Sequence, residues 1–418
     1  MARPLRILLA TLAVGLIAPA VAQSAERYAA VTGTGSSCSV AFPCSLQDAV
    51  TSATTNDEVI VAPGTYSLGA TPLELTATGL DVHGTPGQPK PRLQTSAAPG
   101  LMVSGPNETL SDVRIEHTTG STTPALFMSS NALVSRVEVT SQGTGCALNA
   151  TAVIRDSVCV GGSDPFESAL GAYVASNASV SARNVTAIGD VGVSAGTQGP
   201  TVHLDLDLRN VIARGVSADI DGNNALVGGT TTITAQNSNF DSYSTFVTNP
   251  GSGFTVTPVG SGTNQTAAPL FVNEAGGEYR QAPGSPTIDA GAVDSLTGTT
   301  DVAGTPRPQG AAMDIGAYEQ AVVAPPGDTT APQTTITKGP KAKTKKKKAK
   351  FKFNANEAGS TFECKLDRGA FEACTSPLKL TRLRKGKHKL SIVATDAAGN
   401  ADATPATYRW KVKKKRRK

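Results

Sequence analysis

Four polar residues in one alternating stretch have the types and spacing for chemistry. In Val202-His-Leu-Asp-Leu-Asp-Leu-Arg209 a leucine stands at every second position. An extended strand would turn Leu204, Leu206 and Leu208 one way and His203, Asp205, Asp207 and Arg209 the other. Carboxylates at that spacing can hold calcium, and an arginine beside them could take the proton α to a uronic acid carboxylate. Downstream, Asp219-Ile-Asp-Gly-Asn-Asn224 offers more oxygen ligands around a turn. The candidate catalytic set is therefore His203, Asp205, Asp207 and Arg209, and the candidate calcium set is Asp205, Asp207, Asp219 and Asp221. The plainer reading is that a surface strand needs solvated polar residues in any case. His83, His117 and His388 belong to no metal or nucleophile signature, and H-E-x-x-H does not occur. Residues 101–240 contain only four aromatics, Phe127, Phe166, Tyr173 and Phe240, few for stacking on sugar rings.

The elements that would position these residues repeat. Leu110-Ser-Asp-Val-Arg-Ile115, Val134-Ser-Arg-Val-Glu-Val139, Ile154-Arg-Asp-Ser-Val-Cys159, Val180-Ser-Ala-Arg-Asn-Val185, Leu206-Asp-Leu-Arg-Asn-Val211 and Ile233-Thr-Ala-Gln-Asn-Ser238 share one pattern. Aligning Asp112, Arg136, Asp156, Asn184, Asn210 and Asn237 gives separations of 24, 20, 28, 26 and 27 residues. A short β-rich unit at this period predicts a parallel β-helix over 101–240. One such unit cannot bury its own apolar side chains and must stack on copies of itself, about 4.8 Å apart. Gly and Asn at the corners supply positive-φ bends.

With 418 residues the chain has room for two or more domains. Only 5% of residues are aromatic and 17% charged, which suits short strands and tight corners. The net charge of +5 conceals a split. From Asp328 onward there are 25 Lys or Arg against 7 Asp or Glu, whereas the remainder has 13 against 26. Two oppositely charged parts imply two modules. Arg3 and Arg6 precede an apolar run ending Ala20-Val-Ala22, which predicts a signal peptide over 1–22, cut after Ala22 or else Ala25. No later stretch is apolar enough to span a bilayer. In an exported chain the six cysteines, Cys38 with Cys44, Cys146 with Cys159 and Cys364 with Cys374, predict local disulfides; no C-x2-C doublet favours metal.

After the leader, a Cys-rich start, a short helix capped by Ser45 and the strand Glu58-Val-Ile-Val61 with Ala62-Pro-Gly-Thr-Tyr66 resemble the N-terminal cap of secreted bacterial right-handed parallel β-helix proteins of pectate-lyase-like architecture, placing cap and first rungs at 26–100. Those families pair calcium-binding carboxylates with an arginine base, so the resemblance implies the same roles for the outer face near Arg209. Farther on come Ala268-Pro-Leu-Phe-Val272, Gly284-Ser-Pro-Thr-Ile-Asp-Ala-Gly291, Arg307-Pro308 and Asp314-Ile-Gly-Ala-Tyr-Glu319. This series resembles the choice-of-anchor Q module and implies a C-terminal cap over 241–319. Within it Asp289, Asp301, Arg307, Asp314 and Glu319 read as an arginine–carboxylate network holding a last turn against the barrel end. A Pro-rich linker spans 320–332. Alternating strands over 333–412, including Ser360-Thr-Phe-Glu-Cys-Lys-Leu366 and Lys387-His-Lys-Leu-Ser-Ile-Val-Ala394, resemble a terminal bacterial Ig-like module, followed by a basic tail at 413–418.

The expected fold is all-β: a right-handed parallel β-helix and a small Ig-like sandwich. The expected protein is extracellular, secreted or wall-associated, monomeric, and a binder rather than a catalyst. Its partners would be polysaccharide or an anionic envelope polymer met by the basic module, with no nucleic acid. The competing expectation is a polysaccharide lyase or hydrolase working through the outer face, with calcium as its only cofactor.

Overall fold

Each of the six positions aligned by the repeat is a left-handed corner: φ is 55° at Asp112, 52° at Arg136, 48° at Asp156, 52° at Asn184, 55° at Asn210 and 47° at Asn237. Asp and Asn tolerate this region better than other side chains because they hydrogen-bond locally. The corner turns the chain from one wall of a β-helix to the next, and the side chains stack upon it. Asn184 donates to Asp156 at 2.8 Å and Asn210 donates to Asn184 at 2.7 Å, while Arg136 donates to Asp112 at 2.9 Å.

The computed structural model describes residues 24–119, 123–162, 167–224, 228–247, 252–321, 329–396 and 399–414. The expected signal peptide, Phe166, most of the expected linker and the last four residues of the basic tail lie outside these. Three walls of parallel strands form one sheet. The first wall runs from Glu26–Ala29 and Glu58–Val61 through His203–Arg209 to Thr230–Gln236 and Gly253–Val256, so the ladder begins before residue 101 and continues past 240. Its inward row is Val59, Val82, Leu110, Val134, Ile154, Ala182, Leu208 and Ala235, each paired in register with the next and none more than 2% exposed. The second wall turns in Leu93, Ile115, Val139, Cys159, Ala187 and Ala213. The third, from Leu73–Leu75 to Ile212–Asn224 and Tyr243–Val247, turns in Leu101, Leu126, Cys146, Leu170, Val193 and Ile220. Every rung thus covers the apolar side chains of its neighbour, which is why no single rung is stable alone.

All three cysteine pairs are disulfides: Cys38–Cys44, Cys146–Cys159 and Cys364–Cys374. Cys146 and Cys159 are fully buried and join the third wall to the second through the interior. Near the start, Ser45 caps helix Leu46–Thr51 by accepting the Asp48 amide at 3.1 Å, and Leu46, Ala49 and Val50 are buried.

The chain divides into two units near residue 322. The second is a two-sheet β-sandwich of Ig-like architecture. Strands Thr334–Lys338, Ala349–Ala355 and Leu378–Leu380 form one sheet; Lys343–Thr344, Ala406–Val412, Gly386–Thr395, Thr361–Leu366 and Glu372–Cys374 form the other. Phe351, Phe353, Leu390, Ile392, Trp410 and Val412 fill its core.

Candidate functional site: the outer walls and the basic sheets

Strand His203–Arg209 alternates as its sequence predicts, with Leu204, Leu206 and Leu208 buried and the four polar residues turned outward. Register then stacks Arg155, Arg183 and Arg209 on three successive rungs of the first wall. Rungs lie about 4.8 Å apart, so this arginine ladder needs acid between its members. Asp294 supplies it from the C-terminal segment, 2.8 Å from Arg183 and 3.6 Å from Arg209. Asp207 pairs with Arg183, Arg209 donates to Gln236, and His203 bonds Thr230. Burial opposes the charge on Asp294, yet the amides of Leu296 and Thr297 and the Arg183 guanidinium hold its carboxyl below the usual range. Arg209, the candidate base, is thus committed to the ladder, and Asp205 has only the hydroxyl residues Ser179 and Thr232 beside it in register.

The calcium set is not brought together. Asp205 and Asp207 stand on the first wall, whereas Asp219 and Asp221 lie on strand Ile212–Asn224 in the third. Asp219 is 2% exposed and tied to Arg214 at 3.1 Å, with the Gly215 and Asp241 amides donating to it at 2.9 and 2.7 Å. Asp221 accepts the Ser244 hydroxyl. Two-residue spacing places carboxylates on one face of a strand, but the corner between the stretches sends the pairs to different walls. Among the described residues no group of three or more His, Cys, Asp or Glu side chains converges as a metal site.

The Asp289–Glu319 network also departs from its expected place. The segment does not close the barrel end; it runs back along the first corner as a strap. Asn237 donates to the Ala290 carbonyl at 3.4 Å and Asn210 to that of Ala292 at 2.7 Å, and farther back Arg155 reaches Leu296. The buried Arg307 guanidinium lies 3.0 Å from Glu319 and 3.4 Å from Asp156, and donates to the carbonyls of Asp314 and Gly316. Asp301 accepts the Glu319 amide at 2.9 Å, Asp314 the Asp289 amide at 2.8 Å, and Asp289 the Ala312 amide at 3.1 Å. Burial pushes the carboxyls of Asp156, Asp314 and Glu319 up despite the arginine. Beneath the strap the outside of the second wall is apolar: Val158, Val160 and Ile188 pack against Phe271, Tyr279, Val302 and Ala317.

Two features escaped the sequence reading. On the outer third wall, register lines up Glu74, Met102, Phe127, Ala147, Gly171, Ser194, Asp221 and Ser244, one per rung. Tyr173, 38% exposed, stands two residues from Gly171 on that same face. The two aromatics of the middle rungs that are described and not interior, Phe127 and Tyr173, thus share a wall, with small residues between them. The signal was the middle residue of each Leu-x-Val, Leu-x-Met or Cys-x-Leu strand. In the sandwich, register sets lysines opposite lysines: Lys343 beside Lys411, Lys411 beside Lys387, and Lys350 beside Lys379.

No protein-family model matches the chain, and no curated protein matches it either. Solved structures do. Pectate lyase Pel9A is 14% identical with a TM-score of 0.41, over 72% of this chain and 98% of that one. Escherichia coli YbhC is 12% identical with a TM-score of 0.32, over 57% and 75%. Both likenesses are too distant to speak to activity.

Proposed function

We propose that this is an exported, non-catalytic β-helix protein that binds glycans or neighbouring surfaces, with its basic sandwich retaining it on anionic polymers of the cell envelope. What supports this most is the fate of the arginine ladder: the strap's Asp294 and the neighbouring rungs occupy Arg183 and Arg209, leaving no arginine base beside Asp205. Three disulfides and a leader-like N-terminus fit an extracellular place, and among the described residues no helix is long and apolar enough to cross a membrane. Glycan contact falls to the third wall, where Phe127 and Tyr173 offer ring faces above a floor of Ala147 and Gly171.

A glycan array probed with the full chain tests the reading. Bound glycans should be lost from a Phe127→Ala/Tyr173→Ala variant by roughly tenfold or more in affinity, the scale of one to two stacked rings, with the melting temperature little changed. In parallel, pectin, alginate and glycosaminoglycans are incubated with the protein and calcium. Unsaturated products that vanish in Asp207→Ala would replace the binder by a lyase.

A further inference from the structure

On both sheets of the sandwich the outward face carries cations directly opposite one another. The larger sheet aligns Lys343, Lys411 and Lys387 across three strands, and one step along it aligns Arg409 with Lys389. The smaller sheet sets Lys350 against Lys379 and Lys352 against Lys338. Their neighbours along the strands, Phe351, Phe353, Leu390, Trp410 and Val412, are buried, so these cations point away from the core. Strands about 4.8 Å apart bring the charges close, and like charges facing each other across a ladder oppose folding. Asp367, the acid beside the larger set, is engaged by the His388 ring and the Lys389 amide, both at 2.8 Å. Two grooves follow the rows. One of about 740 Å³ is lined by Lys343, Lys387, Lys389, Arg409 and Lys411, the other of about 730 Å³ by Lys341, Lys346, Lys348, Lys350 and Lys379.

We propose that each groove binds a linear phosphodiester polymer, so that one sandwich holds two chains on opposite sides and cross-links them. This rests on the retention reading above and adds valency and ligand chemistry to it. A polyanion laid over either row relieves the repulsion built into the free sheet. Nearly all the cations are lysines, compact point charges with rotatable donors that can meet the phosphate oxygens of successive units without a fixed geometry. Trp410 and His388 line the first groove but are only 3% and 8% exposed, too covered for a base to stack on their rings, which disfavours nucleic acid. The two rows lie on the outward faces of packed sheets and so point apart, while the grooves approach each other along 340–344, where Lys341 and Thr344 line one and Lys343 the other.

The full chain is titrated with poly(glycerol phosphate) while light scattering and binding are followed together. Scattering should rise to a maximum at intermediate ratios and fall when either component is in excess. Lys387→Gln/Lys389→Gln/Lys411→Gln neutralises one face and Lys346→Gln/Lys350→Gln/Lys379→Gln the other. Each variant should still bind, weaker by roughly tenfold through lost avidity, and should no longer scatter. Undiminished scattering by either variant overturns the proposal, as does complete loss of binding when one face is neutralised, or equal cross-linking of alginate or single-stranded DNA. Binding without cross-linking in the unaltered protein removes only this inference. Should the protein with both faces neutralised bind as well as before, the retention reading falls with it.

Discussion

At the scale of single residues, two buried carboxyls pull stability in opposite directions as pH changes. Glu108 is fully buried at the corner before strand Thr109–Ser111, with Oε2 accepting the Gly105 amide at 2.7 Å. Burial raises its pKa from 4.5 to about 7 in spite of that amide. A carboxyl held above its unfolded value favours the protonated native state, so stability falls as pH rises through the window from about 4.5 to about 7. Glu108→Gln should therefore stabilise the β-helix above pH 7 by about 1–3 kcal/mol and do little near pH 4, as measured by denaturant midpoints at both pH values. Asp57 is the reverse case. Burial opposes its charge, but the amides of Thr54 and Ala25 and the Arg27 guanidinium outweigh it and bring its pKa to about 2. Its contribution is present above about pH 4 and is lost as pH falls toward 2. Asp57→Asn should cost about 2 kcal/mol at neutral pH and nothing at pH 2. A loss that persists at low pH would mean that packing, not charge, holds the first rungs.

Among the elements, the corners were legible in the sequence and the strap was not, for one physical reason. A left-handed turn admits few residue types, so Asp112, Asn184, Asn210 and Asn237 mark it locally, and the period of the repeat follows from their spacing. The leucines of His203–Arg209 likewise announce their own face. Nothing local says that Asp294 will lie between Arg183 and Arg209, because that contact joins residues 111 apart in sequence. The composition of Asp289, Asp301, Arg307, Asp314 and Glu319 revealed a network but not the wall it sits on. The apolar Val158 and Val160 on the outside of the second wall are what the strap covers. Two substitutions probe the strap. Arg307→Ala leaves Asp156 and Glu319 as buried, unbalanced carboxylates and should cost about 3–5 kcal/mol. Gly316 has φ of 103°, and a Cβ there would come within 2.6 Å of Ile212 Cδ1, where its amide donates to the Asn210 carbonyl at 2.8 Å. Gly316→Ala should lift the strap off the corner without unstacking the rungs. Dye binding to the uncovered Val158–Ile188 surface should rise while the circular dichroism of the ladder stays constant. If both signals collapse together, the strap and the rungs are a single cooperative unit.

For the molecule as a whole, the two units carry independent reporters. Trp410 is the only tryptophan and lies in the sandwich core, 5.2 Å from the rings of Phe351 and His388, so its fluorescence follows that unit, whereas backbone dichroism is dominated by the β-helix. The interior disulfide Cys146–Cys159 closes a short loop within the stack, and replacing both cysteines by alanine should lower only the dichroism midpoint, by about 3 kcal/mol in the chain-entropy account. Salt should act on the other reporter. The opposed cations at Lys343, Lys411 and Lys387, at Arg409 and Lys389, and at Lys350 and Lys379 each oppose folding by a few tenths of a kcal/mol at low ionic strength. Raising salt from about 0.01 to about 1 M shrinks the screening length from about 30 to about 3 Å. The fluorescence midpoint should therefore rise by the equivalent of about 1–2 kcal/mol, and most of that gain should disappear in Lys387→Gln/Lys389→Gln/Lys411→Gln. A sandwich indifferent to salt would mean that its lysines spread far enough into solvent to avoid one another. In that case the basic faces would hold no stored repulsion for a polyanion to relieve, and retention would rest on net charge alone.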